Sequence, residues 1–214
     1  MKEYLELFRN TMSFIYQIKL GGVNNLSDAR YAAAVGINYI GFCFNPSNPA
    51  YVPPIKAKEI IDWTSGSHIV GEFGEQGMEE IQTIAELLKI DIIELENDFL
   101  PDELDAFELP LIKKMSLKDF DSEMFQKLVN AYSGKVQGFH FSQWEGLLVK
   151  HPDLLGMINE QVFLDLNPAL DNWKQLLSEL KPFGIHISGE NEEKTGIRDF
   201  DELNDLIELL SEHE

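Results

Sequence analysis

The 214-residue sequence has one cysteine, few bases and no long apolar run, and each shortage excludes something. A single Cys43 rules out an internal disulfide framework and any multi-cysteine metal site. It reads as a small buried residue on a strand. Seventeen bases against 37 acids give a formal net charge of −20, which repels a nucleic-acid backbone or an anionic membrane at long range. Neither is an expected partner. No stretch reaches the roughly 18 to 20 apolar residues of a membrane span. Met1 to Arg9 mixes acids into its apolar residues and does not form a secretory core, so the expected location is the cytoplasm. The acids are dispersed, with local clusters at Glu190 to Glu193 and Asp199 to Glu202, and read as solvated helix faces.

What is present is alternation. Apolar, β-branched or aromatic runs recur at Tyr16 to Leu20, Tyr39 to Phe44, His68 to Gly71, Asp91 to Leu95, Leu109 to Lys113, Val136 to Phe141, Gln161 to Asp165 and Gly184 to Ser188. Between them the period changes from 2 to 3.6. Helices are expected over Ala29 to Val35 (closed by Gly36), Ile55 to Trp63 (opened by Pro53-Pro54), Met78 to Leu88 and Asp102 to Phe107. Further ones are expected over Leu117 to Tyr132, Trp144 to Ile158 with a break at Pro152, Pro168 to Leu180, and Asp199 to Leu210. Asn167-Pro168 offers an N-cap acceptor followed by proline at the first helical position. Eight strands spaced by roughly 20 to 30 residues match the repeat of a single (β/α)8 TIM barrel, a closed parallel sheet with helices outside. An open doubly wound sheet is the alternative. The whole of 1–214 reads as one such domain. Residues 1–15 form a short amphipathic extension, with Leu5, Phe8 and Met12 on one face, suited to plugging the barrel floor or packing on a second subunit. Monomer and homodimer both stay open.

Several motifs resemble those of the phosphoribosylanthranilate isomerase family. Lys19-Leu20-Gly21-Gly22-Val23-Asn24, followed by Asp28-Ala29, is similar to that family's opening Lys-Ile-Cys-Gly-Ile-Thr and its Asp-Ala pair. Gly41-Phe42-Cys43-Phe44-Asn45-Pro46, running on to Tyr51-Val52-Pro53-Pro54, resembles the second unit, and Val70-Gly71-Glu72-Phe73 the third. Leu166-Asn167-Pro168, Gly184-Ile185-His186-Ile187-Ser188 and Gly196-Ile197-Arg198-Asp199 resemble the last two. The likeness covers nearly the whole chain, is strongest over 18–54 and is weak between about 97 and 160. It implies a TIM barrel and an Amadori rearrangement of an aminoaldose to an aminoketose, a step of tryptophan biosynthesis driven by a general acid and a general base.

Position by position, the groups implied by the resemblance are missing. The general-acid cysteine falls on Gly21, and the arginine for the substrate carboxylate falls on Ala50. The general-base aspartate falls within Gly138 to Ser142, where His140 is the one possible base. In the phosphate site, Ser-Gly-Gly-Leu-Asn-Pro has contracted to Asp165-Leu166-Asn167-Pro168, and Ser-Ser-Gly has become Ser188-Gly189-Glu190. Scaffold positions such as Gly22, Asp28, Gly41, Pro46 and Tyr51 persist. The expectation is a barrel that keeps the fold and has lost the isomerase chemistry, since function lives in the site. An isomerase with substituted groups and a different barrel enzyme are the alternatives.

A new constellation is also suggested. Strand alternation places Lys19 inward on the first strand, and the family pattern places Glu94 and Glu96 inward on the fourth, with Lys113, His140, Asp165 and His186 as companions. Such a ring suits a small polar metabolite, together with Ser188 and Gly189 at the rim. It would also suit a divalent metal through His140, Glu96, Asp165 and His186. Against both stands an interior salt-bridge layer of Lys19 and Lys113 with the glutamates. No cofactor and no metal are expected. Lys113 as a Schiff-base nucleophile rests on position alone.

Overall fold

The computed structural model describes residues 16–167, 170, 172–189 and 210. Eight strands run β1 (Gln17–Gly21), β2 (Tyr39–Cys43), β3 (His68–Phe73), β4 (Ile92–Leu95), β5 (Leu111–Ser116), β6 (Gly138–Ser142), β7 (Gln161–Asp165) and β8 (Gly184–Ser188). Each pairs in parallel with the next, and β8 returns to β1 through a register from Gln17 opposite Gly184 to Gly21 opposite Ser188. The sheet is therefore a closed barrel, and the open alternative is excluded. The 1–15 extension and the segment 199–209 lie outside the described residues; Leu210 is helical and buried.

The period of 2 assigns the two faces. Ile18, Leu20, Ile40, Phe42, Ile93, Leu95, Phe139, Phe141, Val162, Leu164, Ile185 and Ile187 point outward and join the helices in one large apolar cluster. A separate small cluster of Tyr39, Val70, Ile92, Ile112 and Phe163 fills the lower barrel. Two residues beyond four of these, on the same inner face, stand Glu72, Glu94, Lys114 and Asp165. The interior is thus an apolar plug with a polar layer above it, toward the C-terminal ends of the strands where barrels of this kind carry their chemistry.

The outer helices are shorter than the sequence suggests, for local reasons. Asn25 accepts from the Asp28 amide at 2.9 Å and starts the helix Leu26–Ala34. Asp121 accepts from the Met124 amide at 2.8 Å, so the helix expected from Leu117 begins at Ser122 and ends at Tyr132. Asp102 to Phe107 is a 3-10 helix, Pro101–Ala106, that buries only Leu104. Beyond β6 a four-residue helix, Glu145–Leu148, is followed by a second 3-10 stretch, Pro152–Met157, with the break falling at Pro152 as expected. The helix expected from Pro168 is described from Trp173 to Leu180. Lys89 and Lys181 close their helices in the left-handed region, at φ 53° and 47°.

Candidate functional site

Six side chains at the upper end of the barrel form one continuous hydrogen-bonded chain. Glu72 Oε2 accepts from the Gly22 amide at 3.0 Å, and its Oε1 accepts from Lys19 Nζ at 2.6 Å. The same ammonium lies 3.0 Å from Glu94 Oε2. That carboxylate oxygen is 3.1 Å from His140 Nδ1, and His140 Nε2 is 2.7 Å from Asp165 Oδ1. Asp165 Oδ1 also meets His186 Nδ1 at 2.6 Å. Lys19, Glu94, His140 and His186 are all buried. Asp165 is fixed from behind as well, because Trp144 Nε1 donates to its backbone carbonyl at 2.8 Å.

The partners decide the charges. Burial alone would drive Lys19 toward neutrality, but the charges and hydrogen bonds of Glu72 and Glu94 more than offset it and hold the ammonium above its ordinary range. Glu94 is likewise held well below the usual carboxylate range, its burial outweighed by Lys19 and His140. His140 faces a carboxylate oxygen on each ring nitrogen. A neutral imidazole has only one N–H, so one of those contacts would set a lone pair against a carboxylate. Geometry therefore favours the imidazolium, in agreement with the upward shift that Glu94 and Asp165 impose against burial. His186 behaves oppositely: burial and the nearby charges of Lys19 and His140 lower its pKa to about 4, against the pull of Asp165. It is neutral at pH 7, with Nδ1–H donating to Asp165 and Nε2 left as a lone pair.

Two small inner residues make this packing possible. A Cβ on Gly41 would overlap the Glu72 carboxylate, with Cδ at 2.7 Å. A Cβ on Gly21 would meet Glu72 Oε1 at 2.6 Å and would also overlap His186 Nε2. Contacts that short do not occur, so the space a larger residue would need at position 21 is taken by an imidazole and a carboxylate. Above the ring, a cavity lined by Cys43, Asn45, Glu72, Glu94, Glu96 and Lys114 encloses about 20 Å³, room for roughly one water molecule.

The structure sorts the residues anticipated from the sequence. Lys19, His140, Asp165 and His186 meet in the ring. Glu96 is exposed just past β4 and reaches the ring only through Lys114, 3.6 Å away. Lys113 belongs elsewhere: its ammonium donates to the carbonyls of Glu96 (3.3 Å) and Asn97 (2.6 Å) and lies over the Tyr132 ring of an outer helix. With Ile112 in the inner plug, Lys113 must face out and Lys114 in, so the expected inner lysine is corrected by one position. Burial lowers the Lys113 pKa, yet two of its three N–H donors are held by carbonyls and its ammonium faces the outer helix rather than the barrel interior, which removes it as a Schiff-base candidate at this site. His140, with both nitrogens on carboxylates, has no lone pair for a base.

At the rim, Gly21 and Ser188 stand side by side at the ends of β1 and β8. The Gly189 N–H, at a rim position expected to help hold a small polar metabolite, instead donates to the Gly21 carbonyl at 2.7 Å. Ser188 is exposed. Asp165 turns its carboxylate inward to the two histidines. Glu190, Glu192 and Glu193 lie outside the described residues. Glu72 and Lys114 were missed from the sequence. The signal for Glu72 was parity, since an inward Val70 puts residue 72 inward too.

The chain is similar in sequence to proteins that share one name. No family model matches the chain. An N-(5'-phosphoribosyl)anthranilate isomerase of Syntrophus aciditrophicus is 27% identical over 207 residues, spanning 92% of this chain and 88% of its own length. The enzyme of that name from Geobacter metallireducens is 26% identical over 89% of this chain and 96% of its own. Among solved structures, the phosphoribosyl anthranilate isomerase of Thermus thermophilus superimposes with a TM-score of 0.73 at 21% identity, covering 90% of this chain and 96% of that one. A dimeric enzyme from Thermotoga maritima, solved as generated monomers, gives 0.70 at 22% identity, covering 87% and 93%. Among the described residues, no helix is long and apolar enough to cross a membrane.

Proposed function

We propose that this chain, which belongs with the phosphoribosylanthranilate isomerases by sequence and by barrel, has given up their rearrangement and keeps the barrel mouth as a polar site for a small metabolite. The observation that carries this reading is the packing at Gly21. By the family pattern the general acid stands there; in this chain His186 and Glu72 occupy its space. The other expected replacement fails for its own reason, because His140 is a buried cation between two carboxylates. General acid and base groups each contribute typically 10²- to 10⁴-fold, so the loss of both removes most of the rate.

A second reading rests on one specific feature. His186 is neutral, is oriented through Nδ1 by Asp165, and has its Nε2 lone pair beside Gly21. It has the form of an oriented general base, and an isomerase with substituted groups would use it. Complementation of a tryptophan auxotroph lacking the isomerase separates the two. Soluble expression without growth is the expected result. Growth that is lost with His186→Gln would establish the second reading instead.

A further inference from the structure

We propose that His140, Asp165 and His186 form a binding site for a divalent transition metal of the zinc type, with one coordination position open to the barrel mouth. The inference does not depend on whether the isomerase reaction is lost. Three adjacent strands, β6, β7 and β8, deliver one ligand atom each, and these atoms lie within 4.8 Å of one another. Asp165 Oδ1 already stands 2.7 Å from His140 Nε2 and 2.6 Å from His186 Nδ1. With metal–ligand bonds of about 2.0 to 2.2 Å in a tetrahedron, neighbouring ligand atoms sit about 3.3 Å apart. The two imidazoles need open by only about half an ångström, and the metal then takes the place of the protons they now direct at Asp165.

The surroundings are those of a metal site as well. A ligating histidine characteristically donates its other N–H to a carboxylate, and Glu94 Oε2 stands 3.1 Å from His140 Nδ1 for that purpose. Metal at His186 Nδ1 moves its proton to Nε2, which borders the space over Gly21 that Glu72 Oε1 borders too. The Trp144 hydrogen bond pins the Asp165 backbone. Charge is compatible with a dication: Glu72, Glu94 and Asp165 stand against Lys19, the neighbouring Lys114 and the His140 proton, and loss of that proton on binding leaves one negative charge in excess for the metal. Two imidazole nitrogens with one carboxylate select zinc, cobalt or nickel over magnesium or calcium, which prefer all-oxygen sets. Three protein ligands leave a fourth position, the arrangement of zinc sites that bind water or substrate.

The test is titration of the chelator-treated full chain with Zn(II) by calorimetry and with Co(II) by visible spectroscopy. One ion per chain is expected, bound more tightly than about 10 µM, with the intense d–d absorption of four-coordinate Co(II). Asp165→Asn and His186→Gln should each weaken binding at least about 100-fold, and Glu94→Gln about 10- to 100-fold. His151→Ala, on the outer surface, should leave it unchanged. Circular dichroism of each metal-free variant checks that it is folded. The spectrum of the unaltered protein stands as a readout that no variant can compromise. No one-to-one binding tighter than about 100 µM, equal binding in folded Asp165→Asn and His186→Gln, or several weak ions per chain with the pale spectrum of six-coordinate Co(II) would each overturn the proposal.

Discussion

Glu94 is the joint of the polar chain, and Glu94→Leu is the sharpest perturbation of it. The variant takes from Lys19 one of its two counter-charges and from His140 the acceptor on Nδ1, at a position only 1% exposed. Breaking a buried ion pair typically costs about 3 to 5 kcal/mol. Two features place this case at the lower end. Lys19 retains Glu72 at 2.6 Å, and His140 can release its proton and become an ordinary neutral imidazole bound to Asp165. A loss of about 3 kcal/mol moves the melting temperature of a domain this size by about 6 to 12 °C, at roughly 2 to 4 °C per kcal/mol. Lys19→Met combined with Glu94→Leu removes both charges, and apolar replacements of buried pairs are often neutral. The double variant should therefore recover much of the loss, with a coupling energy of about 1 to 3 kcal/mol. Thermal unfolding followed by circular dichroism at pH 7 in chelator reads all four corners of the cycle. A single variant within about 2 °C of the unaltered protein, or a double variant that is simply additive, would refute a charged and desolvated ring.

Gly21→Cys, which restores the residue type of the family's acid, should destabilise by about 1 to 3 kcal/mol through overpacking against His186 and Glu72, read as a lowered urea midpoint, and should not create isomerase turnover. In chelator-treated protein, stability should fall as pH drops from about 6.5 toward 4, because the unfolded chain protonates His186 there while the folded chain, with its pKa at about 4, does not. His140 acts in the opposite sense: its raised pKa gives a contribution complete below about 6.5 and lost as pH climbs through the folded value. Urea midpoints across pH for the unaltered protein and His186→Gln separate them, and an equal acid-side slope in both would refute the assignment to His186. Lys113→Met should cost about 1 to 3 kcal/mol for two stranded carbonyls and leave metal affinity unchanged, since its ammonium lies outside the barrel.

Strand existence and order were legible because inner and outer residues alternate with a period of 2 and the turns between are short. Phase was legible only where something anchored it. Gly21 fixed β1, which put Lys19 inside, and the family pattern put Glu94 inside. In β5 the run Leu111-Ile112-Lys113-Lys114-Met115 offers two lysines in opposite phases. Only the contact of Ile112 with the apolar plug selects Lys114 as the inner one. Glu72 escapes the sequence reading because the apolar run there ends at Gly71, whereas the strand continues to Phe73. The charge of His140 was beyond reach, since it depends on Glu94 and Asp165 arriving from two other strands, 46 and 25 positions away. The Gly189 hydrogen bond to Gly21 likewise joins opposite ends of the chain. Helix lengths failed where caps and prolines act locally, at Asp121 and Pro101.

The measurement that bears most directly on the central claim is turnover of phosphoribosylanthranilate by the purified protein at saturating substrate, with and without added zinc. Ordinary enzymes work at about 1 to 10³ s⁻¹, and the absence of both an acid at Gly21 and a base at His140 predicts a kcat at or below about 10⁻³ s⁻¹. A kcat on the order of 1 s⁻¹ would contradict the account and would make the His186–Asp165 pair the catalytic base.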